Sequence, residues 1–121
     1  ADTDPEAETK AQRLRSAATA GQNTTIGVAA TNAALSPAQA RRLAIMAADG
    51  LSRAVRPIHT PFDGDVVFAV ATGGKQGEIS PLELAFLGTV AAACMARASV
   101  RAIWEAETVG AWLSYREMHG R

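Results

Sequence analysis

Polar and apolar residues fall in blocks along this chain, and the blocks read as strand, helix, strand, helix. A polar head, Asn23-Thr24-Thr25, feeds directly into the apolar run Ile26-Gly27-Val28-Ala29-Ala30-Thr31. β-Branched Ile26 and Val28, with small Gly27, Ala29 and Ala30 around them, predict a buried strand packed closely on both faces. Asn32-Ala33-Ala34-Leu35 makes a loop, and Ser36-Pro37-Ala38-Gln39 is a capping box with proline at the first helical position. The helix it opens is expected to run to about Val55. Leu43, Met46, Ala47, Gly50, Leu51 and Ala54 recur at three- and four-residue spacing, which gives one apolar face. Arg41, Arg42, Asp49 and Arg53 fall mainly elsewhere and should meet water. Gly50 costs helix stability relative to Ala, so close packing on the sheet is its expected use. Pro57 closes the element.

Residues 56–64 form a loop between Pro57 and Pro61 and carry His59, Thr60 and Asp63. The run 65–72 reads as a second buried strand. A glycine-rich turn follows, and Ser80-Pro81-Leu82-Glu83 is a second capping box. Its helix is expected to reach about Glu107. Leu84, Leu87, Ala91, Met95, Ala98 and Ala102 make one stripe, with Phe86, Val90 and Ile103 beside it. A helix apolar over so much of its surface is expected to be buried on more than one side, its partner lying in another subunit. Residues 111–115 are expected to dock as a short extended piece, and residues 116–121 to fray.

The element order predicts an α/β layer structure. Two strands alone are marginal and cannot cover two long helices, so further strands are expected from another chain or from an upstream segment. Residues 1–23 differ from the rest. Acids come first, bases follow, and Leu14 is the single large apolar residue. That segment reads as a solvated tail or linker, and residues 24–121 as the structured part.

Composition narrows the function classes. Twelve basic and twelve acidic residues balance in 121, with no basic stripe, so neither nucleic acid nor an anionic membrane is an expected partner. The longest nearly uncharged run, residues 84–96, is too short to span a bilayer. Cys94 is the single cysteine, which fits a reducing, cytoplasmic setting without internal disulfides.

Candidate chemistry gathers at the mouths of the two strands. Thr24 is either an ordinary strand residue or a nucleophile held on a rigid scaffold. Asp63-Gly64-Asp65 is either a common turn before a strand or a carboxylate pair brought together by the bend at Gly64. Two carboxylates this close should titrate as a pair, with one pKa raised. His59 could line a substrate pocket. Cys94 sits within an apolar helix and reads as a small buried hydrophobe rather than a nucleophile. No His, Cys and carboxylate spacing suggests a metal, and Gly73-Gly74-Lys75 lacks the frame of a phosphate loop. Ser36 and Ser80 are accounted for as caps.

Five blocks in order carry a resemblance. They are Asn23-Thr24-Thr25-Ile26-Gly27-Val28, then Leu35-Ser36-Pro37-Ala38-Gln39-Ala40-Arg41-Arg42-Leu43-Ala44, then Asp49-Gly50-Leu51-Ser52-Arg53-Ala54. Pro57-Ile58-His59-Thr60-Pro61-Phe62-Asp63-Gly64-Asp65 and Val67-Phe68-Ala69-Val70-Ala71-Thr72-Gly73 follow. Over about fifty residues the chain resembles the nucleophile-bearing, C-terminal part of the DmpA-type aminopeptidase family, which includes β-peptidyl aminopeptidases and nylon-oligomer hydrolases. The resemblance implies a self-cleaving precursor cut between Asn23 and Thr24, with Thr24 as the new N-terminal nucleophile. It implies a four-layer αββα sandwich in which an upstream α part joins this β-subunit-like part. It places Asp63 and Asp65 beside Thr24, orienting its hydroxyl and amine. It also assigns to the upstream part an Asn that stabilises the oxyanion and a Lys near the nucleophile.

The chemistry of such a site is simple. A threonine hydroxyl needs a base, and a freed α-amine with a pKa of roughly 7.7–8.0 can serve. No histidine and no cofactor is then required. The expected function is hydrolysis of peptides or ω-amino-acid oligomers through an acyl-enzyme, in a homo-oligomer of heterodimers, with the chain inactive when it lacks the upstream part. Asn before the nucleophile resembles the nylon-oligomer branch. A catalytically incomplete assembly module is the alternative of a different class, and an acyltransferase of related fold is a third. On this reading Asp65→Asn should leave the fold intact.

Overall fold

Two serine caps set the helical layer. In the computed structural model, which describes residues 24–74 and 77–120, Ser36 opens helix α1, Pro37–Ala54. Its hydroxyl accepts from the Gln39 N–H at 3.2 Å, and the Gln39 carboxamide oxygen accepts from the Ser36 N–H at 3.0 Å. The same Gln39 side chain donates to the Ile79 carbonyl at 2.9 Å, which ties the start of α1 to the start of helix α2, Pro81–Glu105. Ser80 and Glu83 repeat the reciprocal cap on α2 at 3.2 and 2.7 Å. Both capping boxes read from the sequence are therefore formed, and each supplies acceptors that the first helical turn otherwise lacks.

Strands β1, Ile26–Thr31, and β2, Val66–Ala71, pair in parallel, Ile26 opposite Val66 through Thr31 opposite Ala71. Helix α1 is the crossover between them, as a parallel pair requires. The architecture is thus α/β, a two-stranded parallel sheet under two long helices. The two further layers of an αββα sandwich are not formed by the described residues.

The core lies between α1, α2 and one face of the sheet. Ala47, Leu51 and Met95 are buried there, with Ala29, Val55, Ile58, Val67 and Ala91 packed around them. Period-two alternation places Gly27, Ala29, Val67 and Ala69 on this side. Ile26, Val28, Phe68 and Val70 point the other way and are exposed, Ile26 at 68% and Phe68 at 52%. Among the described residues the helices cover one face only, and the second cover expected for the strands is not supplied by them.

Helix α2 is likewise covered on one side, and the partner expected for its other side is not among the described residues. Only Gly88, Ala92 and Met95 along it are buried, while Phe86 stands 73% exposed and Cys94 is exposed rather than sealed in the core. By length and composition α2 is apolar enough to cross a membrane, which the run 84–96 alone was not expected to be.

Gly50 packs against a helix, not the sheet. A Cβ built on it would overlap the Ala92 carbonyl, with the carbonyl carbon 2.7 Å away, so the α1–α2 crossing closes on bare backbone. The C-terminal tail differs from expectation too. Ser114 caps a third short helix, α3, Tyr115–His119, and Gly120 ends it in the left-handed conformation. The tail expected to fray is thus helical over Tyr115–His119. Tyr115 packs tilted against His119 with ring centroids 4.4 Å apart, and its ring centroid lies 6.1 Å from that of Trp104 on α2.

Candidate active site

Each strand begins with candidate residues of the sequence. Thr24 and Thr25 stand at the mouth of β1, and Gly64 and Asp65 at the mouth of β2, so parallel pairing sets the two strand mouths side by side. The Thr25 carbonyl accepts from the Val66 N–H at 3.0 Å, which extends the ladder by one rung. The Thr25 N–H donates to Asp65 Oδ1 at 2.7 Å. Thr25 is thus held on both of its backbone polar groups by consecutive residues of the facing segment.

Thr24 is exposed and its side chain leans on Gly64. A Cβ built on Gly64 would stand 2.8 Å from the Thr24 hydroxyl oxygen, 3.5 Å from its Cγ2 and 3.7 Å from its Cβ. The hydroxyl therefore occupies space that any other residue at 64 would contest.

The Asp65 side chain is buried, 2% exposed, and both carboxylate oxygens are taken by backbone donors. Besides Thr25, the His59 N–H donates to Oδ2 at 2.9 Å. His59 Nδ1 lies 3.9 Å from the same oxygen, so a protonated imidazole would add an ion pair. The pKa of Asp65 is lowered, first by the His59 N–H and then by the Thr25 N–H, with burial opposing. At Asp65 the shift thus runs opposite to the rise that carboxylate pairing suggests, because dipoles aimed at the charged form outweigh the loss of water.

Asp63 does a different job. Its Oδ2 accepts from the Thr60 N–H at 3.0 Å, and its own N–H donates to the Thr60 carbonyl at 3.0 Å. The Thr60 hydroxyl accepts from the Phe62 N–H at 3.4 Å. Residues 60–63 are therefore a closed turn that presents Gly64. His59 leads into it with φ of 55°, in the left-handed region, and its half-exposed ring faces outward beside Asp65.

The structure thus brings Thr24, Gly64, Asp65 and His59 into one cluster. Among the described hydrogen bonds, the carboxylates reach Thr25, His59 and Thr60 rather than the Thr24 hydroxyl itself. Asn23 and the proposed cut before Thr24 lie outside the described residues, as does the segment 1–23. The Thr25 amide was missed by sequence reasoning, because a backbone donor carries no residue-type signal. Among the described residues no cluster of three His, Cys, Asp or Glu side chains could hold a metal ion. A cleft of about 210 Å³ opens elsewhere, between β1 and α2, lined by Val28, Ala30, Leu87, Val90 and Cys94.

The family model described as Peptidase family S58 matches residues 4–114. An uncharacterized aminopeptidase of Mycobacterium tuberculosis is 48% identical over 106 residues, covering 79% of this chain and 31% of the relative. One from Mycobacterium leprae is 46% identical over 104 residues, covering 77% and 28%. A 6-aminohexanoate-oligomer endohydrolase of Kocuria sp. is 33% identical over 97 residues, covering 73% and 27%. The chain spans less than a third of the length of these relatives. Its match to the family model runs over most of its length, through both strands and both long helices, and the chain accordingly belongs to peptidase family S58.

Proposed function

We infer that this chain carries the nucleophile of a self-processing amide hydrolase, with Thr24 as the attacking residue. The observation that carries the reading is the placement of the Thr24 side chain. It is exposed to an incoming carbonyl, yet it sits on Gly64 and precedes a backbone pinned at Thr25 by Asp65 and Val66. Held geometry of this kind is what turns a weak hydroxyl into a useful nucleophile.

In processing, Thr24 Oγ1 attacks the Asn23 carbonyl carbon and the Asn23–Thr24 amide bond breaks. The hydroxyl proton passes to the departing nitrogen, and water hydrolyses the resulting ester. The α-amine so released becomes the general base for substrate turnover. It takes the hydroxyl proton as Thr24 attacks a substrate amide and returns it to the leaving amine. Water then cleaves the acyl ester, giving a carboxylic acid and restoring the hydroxyl. Asp65 positions this site through the Thr25 N–H, and Asp63 through the turn that carries Gly64, so both orient the hydroxyl and amine of Thr24. Peptides and ω-amino-acid oligomers are the substrate class, a reading supported by relatives named as aminopeptidases and as a 6-aminohexanoate-oligomer endohydrolase.

The rest of the longer protein completes the site. Each strand is about 4.8 Å wide and each helix about 10 Å, so two helices side by side roof about four strands. Two strands are present among the described residues, and the overhang of α2 beyond β1 leaves the cleft lined by Val28, Leu87 and Cys94. An upstream α part that adds strands and covers the open sheet face fits both features, and on this reading the chain is silent without it. The assembly would be a homo-oligomer of such pairs.

Thr24→Ala in the full-length precursor is the test. It should leave the polypeptide uncut and without hydrolytic activity on aminoacyl or 6-aminohexanoate-oligomer amides, read by intact mass and product release. Cleavage before residue 24 in that variant would overturn the reading.

A further inference from the structure

Gly64 is the one residue of the Asp-Gly-Asp triplet with no side chain, and the common explanation for a glycine in such a triplet fails here. Glycine is usually kept in a turn for its left-handed backbone. In this chain Gly73, Gly77, Gly110 and Gly120 have positive φ, and Gly64 does not. Its φ lies outside the left-handed region that a Cβ disfavours. What alanine could not do is share the space: its Cβ would stand 2.8 Å from Thr24 Oγ1, closer than carbon and oxygen atoms pack.

We propose that Gly64 is a positioning residue for Thr24, its bare backbone being the floor that sets the direction of the nucleophilic hydroxyl. This rests on the reading of Thr24 as nucleophile. Three consecutive residues then hold the mouth of β1. Gly64 abuts the Thr24 side chain, Asp65 binds the Thr25 N–H, and the Val66 N–H binds the Thr25 carbonyl. Asp65 and Val66 fix where the Thr24 α-carbon stands. Gly64 fixes the remaining freedom, rotation about the Thr24 Cα–Cβ bond. The threonine end is the part able to yield, so a methyl group at 64 turns the hydroxyl away while the backbone stays in place.

The experiment is a double-mutant cycle in the full-length precursor, read by melting temperature and by the first-order rate of cleavage before Thr24. Gly64→Ala should slow cleavage about 100-fold, the loss typical of an ångström-scale misplacement. In the Thr24→Ala background the clash is gone. There Gly64→Ala should raise Tm by about 1–3 °C, because alanine restricts the unfolded chain. With Thr24 present the same substitution should give no such gain. A residue that served only packing would shift Tm equally in both backgrounds. If Gly64→Ala fails to fold while Thr24→Ala/Gly64→Ala folds, the contact is demonstrated by that difference. Cleavage at the unsubstituted rate, with equal Tm shifts in both backgrounds, would overturn the proposal. A parent precursor that stays whole while the thermal coupling persists would instead sink the nucleophile reading and leave the Gly64–Thr24 contact without a catalytic role.

Discussion

At the scale of single residues, Asp65 shows how one carboxylate can hold two segments together without touching the Thr24 hydroxyl beside them. It joins the His59 loop to the mouth of β1 through two backbone N–H groups, at 2.9 and 2.7 Å, and it is buried while doing so. Sequence reasoning found the residue and its neighbourhood but expected Asp65→Asn to leave the fold intact. The structure gives the opposite expectation. An amide nitrogen cannot accept, so one of the two backbone donors loses its partner, at a cost of about 1–3 kcal/mol. The pH dependence follows from the lowered pKa. A carboxylate whose folded pKa is depressed stabilises fully above its unfolded value, near 3.9, and loses that contribution as pH falls through the folded value. Thermal melts of the parent protein should therefore weaken below about pH 4, and Asp65→Asn should remove that part of the acid limb while lowering Tm at neutral pH. Superimposable acid limbs would show that the Asp65 charge carries no net stability.

At the scale of elements, what was legible in the sequence was local. Each capping box is four residues long and contains its own partners, so Ser36 with Gln39 and Ser80 with Glu83 could be read without knowing the fold. The apolar stripe of α1 was equally plain. The use of Gly50 was not, because whether a glycine faces a sheet or a helix depends on a crossing that lies 42 residues away, at Ala92. The short helix α3 was overlooked for the opposite reason. Five residues carry too little periodicity to register, although Ser114 and Gly120 were standing at its ends. The crossing makes a comparison possible between two glycines. At Gly50 a Cβ meets the Ala92 backbone, which cannot move aside; at Gly88 it meets the flexible thioether end of Met46. Both substitutions gain helix propensity of about 1 kcal/mol. Gly50→Ala should nevertheless destabilise by about 1–3 kcal/mol through overpacking, and Gly88→Ala by clearly less. Denaturant midpoints of the two variants check this, and equal midpoints would mean that the α1–α2 crossing is looser than the contact implies.

At the scale of the whole molecule, the open face of the sheet is the feature that single residues and elements leave unexplained. Ile26, Val28, Phe68 and Val70 form a continuous apolar surface on two paired strands. Helix α1 cannot reach it, because period-two alternation puts it on the far side of the backbone from Ala47 and Leu51. The sequence signalled the strands strongly because both faces are apolar, and a chain spends β-branched and aromatic residues on both faces when both are to be buried. Relatives of which this chain covers less than a third have ample chain to provide the second cover. The prediction concerns Phe68 in the full-length protein. If the rest of that protein buries this face, Phe68→Asp should cost about 3 kcal/mol or more, the range of a lost aromatic core contact. Arg53→Asp, on the exposed side of α1, should stay within about 0.5 kcal/mol and serves as the control. Denaturant unfolding of both variants, with binding of a hydrophobic dye to the folded state, reads the difference. A Phe68→Asp protein as stable as its control would mean that the face remains wet, and the cover would then have to be sought in a second copy or at a lipid surface, where vesicle partitioning of the parent chain decides between them.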